Sequence, residues 1–132
     1  MNKGFTLIEI IITLAILALL IAVSVPNIMR IIDKNKEKQS ERINELIVDA
    51  TRVFIGRNYE AGESDARDLV RDFRAKDIPE FTITVQDLKD EKLIEKNFVD
   101  PTTKNGTFDY GQEITIKRVS SNVTITFRGK VY

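Results

Sequence analysis

One carboxylate stands where its charge is hardest to solvate. Glu9 falls one turn inside a stretch that is otherwise apolar from Phe5 onward, and no residue from Ile10 to Met29 is charged. An ionised side chain left unanswered there is costly. A cation brought to Glu9 would satisfy it. So would a place near enough the helix end to reach the lipid headgroups, where the positive end of the helix dipole also helps. Elsewhere the chain offers little for catalysis. It has neither histidine nor cysteine, which removes the usual imidazole base, thiol chemistry and the commonest transition-metal ligands. Its 20 carboxylates guarantee chance pairs, yet none adjoins a recognisable nucleophile or cofactor loop, so no enzyme activity and no cofactor are expected. The 20 basic residues cancel the 20 acids, which is unlike a dedicated nucleic-acid binder. Lys117, Arg118, Arg128 and Lys130 follow the last acid, Glu113, and form a candidate basic patch, although solvated charges at a sheet edge account for them more readily.

The elements that must position Glu9 are readable from spacing. Ile10 to Met29 is a run of about twenty residues, enough at 1.5 Å each to cross a hydrocarbon core of about 30 Å. It is too long for the apolar region of a removable secretory signal, and Pro26, Asn27 and Arg30 follow in place of a small-x-small cleavage pattern. Pro26 deletes the hydrogen bond to the Ala22 carbonyl, which predicts a kink or marks the membrane boundary. Arg30, Lys34, Lys36, Lys38 and Arg42 follow the run while only Lys3 precedes it, so charge bias alone places the C-terminal part in the cytoplasm.

Beyond Met29 helical spacing persists without glycine or proline until Gly56. Asp33, Glu37, Glu41, Glu45 and Asp49 form one ridge, and Lys34, Lys38 and Arg42 an adjoining one, with cross-ridge pairs such as Lys34 with Glu37 expected to solvate the face. Ile43, Leu46, Ile47, Ala50, Val53 and Phe54 form a stripe that should pack on a sheet. Ser64 can cap a short helix carrying Ala66, Leu69, Val70 and Phe73, with Pro79 after it. Phe81, Ile83 and Val85 alternate as a strand does, but Thr84 and Asp87 read as a capping box, and the helix is preferred there. Ile114 to Phe127 reads as a hairpin turning at Ser120 to Asn122, with Phe108 and Tyr110 as a third strand.

The residues Lys3, Gly4, Phe5, Thr6, Leu7, Ile8 and Glu9 resemble the class III signal peptide of type IV prepilins and type II secretion pseudopilins. That pattern is a short basic leader, glycine, phenylalanine, and glutamate at the fifth position after the glycine. The resemblance implies cleavage between Gly4 and Phe5 by a membrane-embedded prepilin peptidase and N-methylation of Phe5. It also implies pairing of Glu9 with the Phe5 amine of a neighbouring subunit. Lys3 would hold the leader at the cytoplasmic face, and Gly4 would leave the backbone open to the protease. A weaker likeness runs through Leu93, Ile94, Val99, Asp100, Pro101, Asn105, Gly106 and Tyr110, where many such proteins have a short helix, an aspartate-proline turn and an aromatic strand. Some pseudopilins bind calcium in this region, but Asp100, Asp109 and Glu113 match no ligand loop, so no metal is expected.

The expected architecture is therefore α+β, a long N-terminal helix on a small antiparallel sheet with one or two short helices between. Its parts are a leader (1–4), a transmembrane and filament-core helix (5–29) and a pilin-like head (30–132). The expected function is that of a type IV pilus or pseudopilus subunit that polymerises with other pilin subunits. An assembly platform protein and, indirectly, its ATPase serve it. Retention of Glu9 favours the filament body over the tip. The leader overrides the charge bias, so the precursor is expected as a single-pass inner-membrane protein with its head outside, later part of an extracellular pilus or a pseudopilus. Two alternatives differ in kind: a competence pseudopilin or minor pilin contributing to DNA uptake, and a membrane-tethered domain that never polymerises.

Overall fold

A computed structural model describes residues 4–60, 62, 64–94 and 98–132. They form two compact units, residues 1–38 and 39–132, and helix α1 (Leu7–Gly56) runs through both. In the first unit every described residue is exposed. The helix there satisfies its polar side chains locally: Thr13 Oγ1 donates to the Glu9 and Ile10 carbonyls, Ser24 Oγ to Leu20 O at 2.7 Å, and Asn27 Nδ2 to Val23 O at 3.2 Å. α1 passes Pro26 without losing its helical assignment.

The second unit is a head built on a four-stranded antiparallel sheet in the order β1 (Glu80–Thr84), β2 (Glu113–Val119), β3 (Asn122–Phe127), β4 (Lys130–Val131). Alternation decides its faces. Phe81, Ile116 and Ile125 line up across three strands, as do Ile83, Ile114 and Phe127. All six are buried. Such cross-strand apolar neighbours are the stabilising unit of a sheet. The intervening row of Thr82, Thr115 and Thr126 is on the opposite face. Against the apolar face gather Ile43, Ile47, Val48, Ala50 and Phe54 of α1, and Val70 and Phe73 of α2 (Asp65–Ala75).

The buried face of α1 is rotated from the expected stripe. Leu46 and Val53 are 54% and 51% exposed, while Asn44, Val48 and Thr51 are buried. Thr51 tolerates this because its hydroxyl donates to the Ile47 carbonyl at 2.7 Å, leaving its methyl for the core.

Ser64 caps α2 as expected, accepting from the Arg67 N–H. A left-handed Lys76 ends the helix, with its own N–H and that of Asp77 taking the last carbonyls. The helix preferred over a strand here forms only from Val85 onward, whereas Phe81 and Ile83 lie in β1, because their alternation places them in the sheet. Thr84 ends β1 and opens α3 (Val85–Asp90), its side chain accepting from Asp87 N while Asp87 accepts from Thr84 N at 2.7 Å. Phe108 and Tyr110, by contrast, are not in a strand, and β1 takes the third place in the sheet. Asp109 Oδ1 accepts from Gly111 N at 2.9 Å, a local turn that interrupts any extended run. The segment from Leu93 to Ile94 is likewise not helical.

With no disulfide, the returning loop is closed by a buried ion pair. Asp100 is 2% exposed and receives Arg128 Nη2, together with the Thr102 N–H at 2.9 Å and hydroxyl at 2.6 Å. Arg128 also donates to Gln112 Oε1 at 2.6 Å and Ser40 Oγ at 3.3 Å, so one guanidinium ties the aspartate-proline turn, the approach to β2 and α1 to the β3–β4 turn. It does so from a left-handed backbone (φ 49°), followed by Gly129 (φ 76°), as a tight two-residue hairpin turn requires.

Burial favours the neutral acid at Asp100, but the hydrogen bonds from Thr102 and the Arg128 guanidinium outweigh it and hold the carboxyl below its ordinary 3.8. A depressed folded value means stability that is present above the ordinary one and lost as pH falls through the folded one. Urea titrations of the chain in detergent, followed by circular dichroism, should show the head losing stability below about pH 4. Asp100→Asn should flatten that limb. Arg128→Met, which strands a buried carboxylate, should cost about 3–5 kcal/mol at neutral pH and exceed the cost of Asp100→Asn. An unchanged acid limb in Asp100→Asn would place the acid sensitivity elsewhere.

Candidate processing and assembly site

The backbone is irregular from Gly4 to Thr6, and α1 begins at Leu7. The Gly4–Phe5 bond therefore lies ahead of the helix, where the chain is not committed to helical hydrogen bonding. A side chain added at Gly4 would meet nothing within 4 Å, and Phe5 is 82% exposed. That is the geometry a protease needs, an unobstructed segment that can be drawn into an extended conformation. Lys3, the expected leader anchor, lies outside the described residues.

Glu9 is held by a residue that charge considerations passed over. Its Oε2 accepts from both the N–H and the hydroxyl of Thr6, each at 2.9 Å, while the Glu9 N–H donates to Thr6 Oγ1 at 3.4 Å. The first helical hydrogen bond, from Ile10 N to Thr6 O, closes the same turn. This is a reciprocal capping box, with Thr6 as the cap and Glu9 three residues on. The signal was present in the sequence as Thr-x-x-Glu ahead of an apolar run. Glu9 thus has a structural task at the helix start in addition to carrying charge. Both of these hydrogen bonds fall on Oε2 and come from neutral groups, and among the described residues no hydrogen bond falls on Oε1.

The apolar stretch that follows is the one described helix long and apolar enough to cross a membrane, and none of it is buried within the molecule. Pro26 lies within it, between the locally bonded Ser24 and Asn27.

The four residues of the candidate basic patch do not come together as a free cationic surface. Lys117 lies opposite Glu80 in the sheet register and pairs with it at 3.4 Å. Arg118, next along β2, points to the other face, where it donates to the Phe73 carbonyl at 2.5 Å and stacks its guanidinium over the Phe73 ring. Arg128 is held by Asp100, and Lys130 pairs with Glu41 at 3.1 Å. Of the oxygen donors considered for calcium, Asp100 is committed to Arg128 and Asp109 to the Gly111 turn. Among the described residues no group of three histidine, cysteine, aspartate or glutamate side chains is placed to hold a metal.

Residues 1–25 match the family model of the prokaryotic N-terminal methylation motif. No curated protein and no solved structure matches the chain. The motif points to a structural subunit rather than an enzyme, and the uncovered apolar helix that it includes fits an inner-membrane-anchored precursor. With that motif running into a long helix and a small antiparallel sheet beyond it, the chain carries a prepilin-type N-terminus and is pilin-like in fold.

Proposed function

We propose that this chain is a structural subunit of a type IV pilus or pseudopilus, cut by prepilin peptidase between Gly4 and Phe5, N-methylated at Phe5 and polymerised through its N-terminal helix. The observation that carries it is the apolar half of α1, which is exposed along its whole length and begins within the methylation motif. Such a surface needs lipid before assembly and other copies of the same helix afterwards. In this division the leader is residues 1–4, the segment 5–29 serves as anchor and then filament core, and 30–132 is the head. Before assembly the head lies outside the inner membrane.

In the filament the Phe5 amine of one subunit reaches the Glu9 carboxylate of its neighbour. Taken separately, each charge is costly in an apolar surrounding, and together they relieve that cost. Pro26 supports the transfer from lipid to filament, because the unpaired Ala22 carbonyl makes this the place where α1 loosens most readily. The basic residues of the nucleic-acid alternative are all engaged within the head, and no observation favours that role.

Mass spectrometry of sheared surface material should find a mature chain that begins with N-methylated Phe5. Glu9→Val should leave processing and membrane level intact while reducing filament yield by about tenfold or more, given the several kcal/mol at stake in stranding the amine. Unchanged yield in that variant would support a tethered, non-polymerising domain instead.

A further inference from the structure

Three arginines of the head open on one space. Arg71 and Arg74 are three residues apart, which puts them on one face of α2. Arg57 follows the last residue of α1, and with Asn58 and Tyr59 these side chains line a cavity of about 310 Å³. Among the described residues no acidic side chain lines it. Guanidinium groups gathered around one space repel unless negative charge stands near each of them. Arg71 has that charge: it donates to Asp68 at 2.9 Å and to Asp72 at 2.8 and 3.0 Å. Arg74 donates through Nη1 to the Gly56 and Arg57 carbonyls at 2.9 and 2.7 Å, and among the described residues no carboxylate pairs with it. Arg57 comes only within 3.9 Å of Glu91, a carboxylate that Arg67 already holds through Nε at 2.5 Å and Nη2 at 3.0 Å. The charge of Arg57 and Arg74 is therefore in excess at the cavity wall.

The same contacts fix the donors in place. Asp68 and Asp72 hold the Arg71 fork and the two carbonyls hold Arg74, so a ligand need not order either side chain. The Arg74 contact also covers the negative end of the α1 dipole, which would otherwise repel an anion. A planar carboxylate offers two oxygens to a single fork, whereas donors arriving from three residues call for acceptors spread in three dimensions. A tetrahedral oxyanion has them. The space is larger than such an ion and of the size that takes a small organic ligand, and the exposed Asn58 amide brings both a donor and an acceptor for hydroxyl groups. We infer that the head binds the phosphate or sulfate group of a sugar-sized molecule in this cavity. Arg57 and Arg74 supply the charge, Arg71 adds a fixed donor, and Asn58 meets the hydroxyls of the attached group.

This site stands independently of the subunit function proposed above. It is tested on the isotopically labelled full-length chain in non-ionic detergent micelles at low ionic strength, by amide NMR titration with glucose 6-phosphate. The signals of residues 57–59 and of α2 should shift saturably with a Kd of about 1 mM or tighter, and added salt should weaken the binding. Inorganic phosphate and inorganic sulfate should move the same signals at higher concentration, and glucose should move none of them. Arg57→Gln should weaken binding about tenfold, the loss of one charge-assisted hydrogen bond. Arg52→Gln removes an exposed arginine of α1 that does not line the cavity and should leave the Kd within about twofold. Signal dispersion in the same spectra reports that each variant is folded. Four results would each overturn the site: no saturable shift at residues 57–59 at about ten times the expected Kd, glucose binding as tightly as its phosphate, acetate binding as tightly as phosphate, or Arg52→Gln losing as much as Arg57→Gln.

Discussion

Among the described residues the apolar half of α1 has no cover, and the role proposed for this protein follows from that constraint. A helix is the one single-segment structure that satisfies its own backbone hydrogen bonds in an apolar surrounding. The few polar side chains in the span obey the same demand. Thr13, Ser24 and Asn27 each return a hydrogen bond to a carbonyl of the preceding turn, which lowers the polarity that each shows to lipid or to a neighbouring helix. What remains is a surface with almost no directional preference. Burial can hold such helices together, but dispersion and hydrophobic contact alone specify neither their orientation nor their stagger. In the proposed filament, Glu9 and the Phe5 amine would add the direction that this surface lacks.

The head meets the opposite problem. It must hold its shape with a small core and no disulfide. Two rows of three apolar residues give the sheet one buried face, and α1 and α2 cover it. Among its described residues the long return between α3 and β2 has one isolated bridge, Val99 with Thr107, in place of a ladder. It is fastened instead by side chains: the Phe98, Phe108 and Tyr110 rings pack in series at 5.5 and 5.0 Å, Tyr110 Oη accepts from Phe98 N, and Asp100 holds Arg128. A buried ion pair is a poor source of net stability, but its geometry is exacting. Here it commits the loop to one place on the sheet.

The fold was legible wherever one period dominated over many residues. The helix to Gly56 and the hairpin from Ile114 to Phe127 are of this kind, and so is the Ser64 cap. Legibility failed where side chains far apart in sequence decide the outcome. Phe108 does enter the core, as its type suggests, but its backbone is bent by Asp109 and tied through the Gln86 N–H to the Tyr110 carbonyl, contacts no local pattern encodes. The rotation of α1 on the sheet has the same origin. A one-face stripe of Leu46 and Val53 is as good a pattern as the one observed, and only the core that Ile47 and Phe54 share with residues as distant as Phe73 and Ile116 decides between them. The basic residues looked like a patch because sequence shows sign and spacing but not the acids that fold back onto them. At the N-terminus the pattern is local, Thr6 standing three residues before Glu9, but the same glutamate also reads as an unanswered charge.

The two tasks of Glu9 are compatible. A capping box fixes the glutamate rotamer by turning the side chain back over the first turn, and a free carboxylate on a helix would otherwise sample several. Because Thr6 occupies only Oε2, and with neutral donors, the box supplies order without cancelling the charge. The cost of immobilising the side chain is met within the subunit before any neighbour arrives, which lowers what the intersubunit pair must overcome. Both members of the box follow the proposed cut at Gly4, so cleavage would leave it intact while creating the amine that the second oxygen can receive. In the proposed filament, Thr6 is therefore a positioning residue, acting on assembly through Glu9.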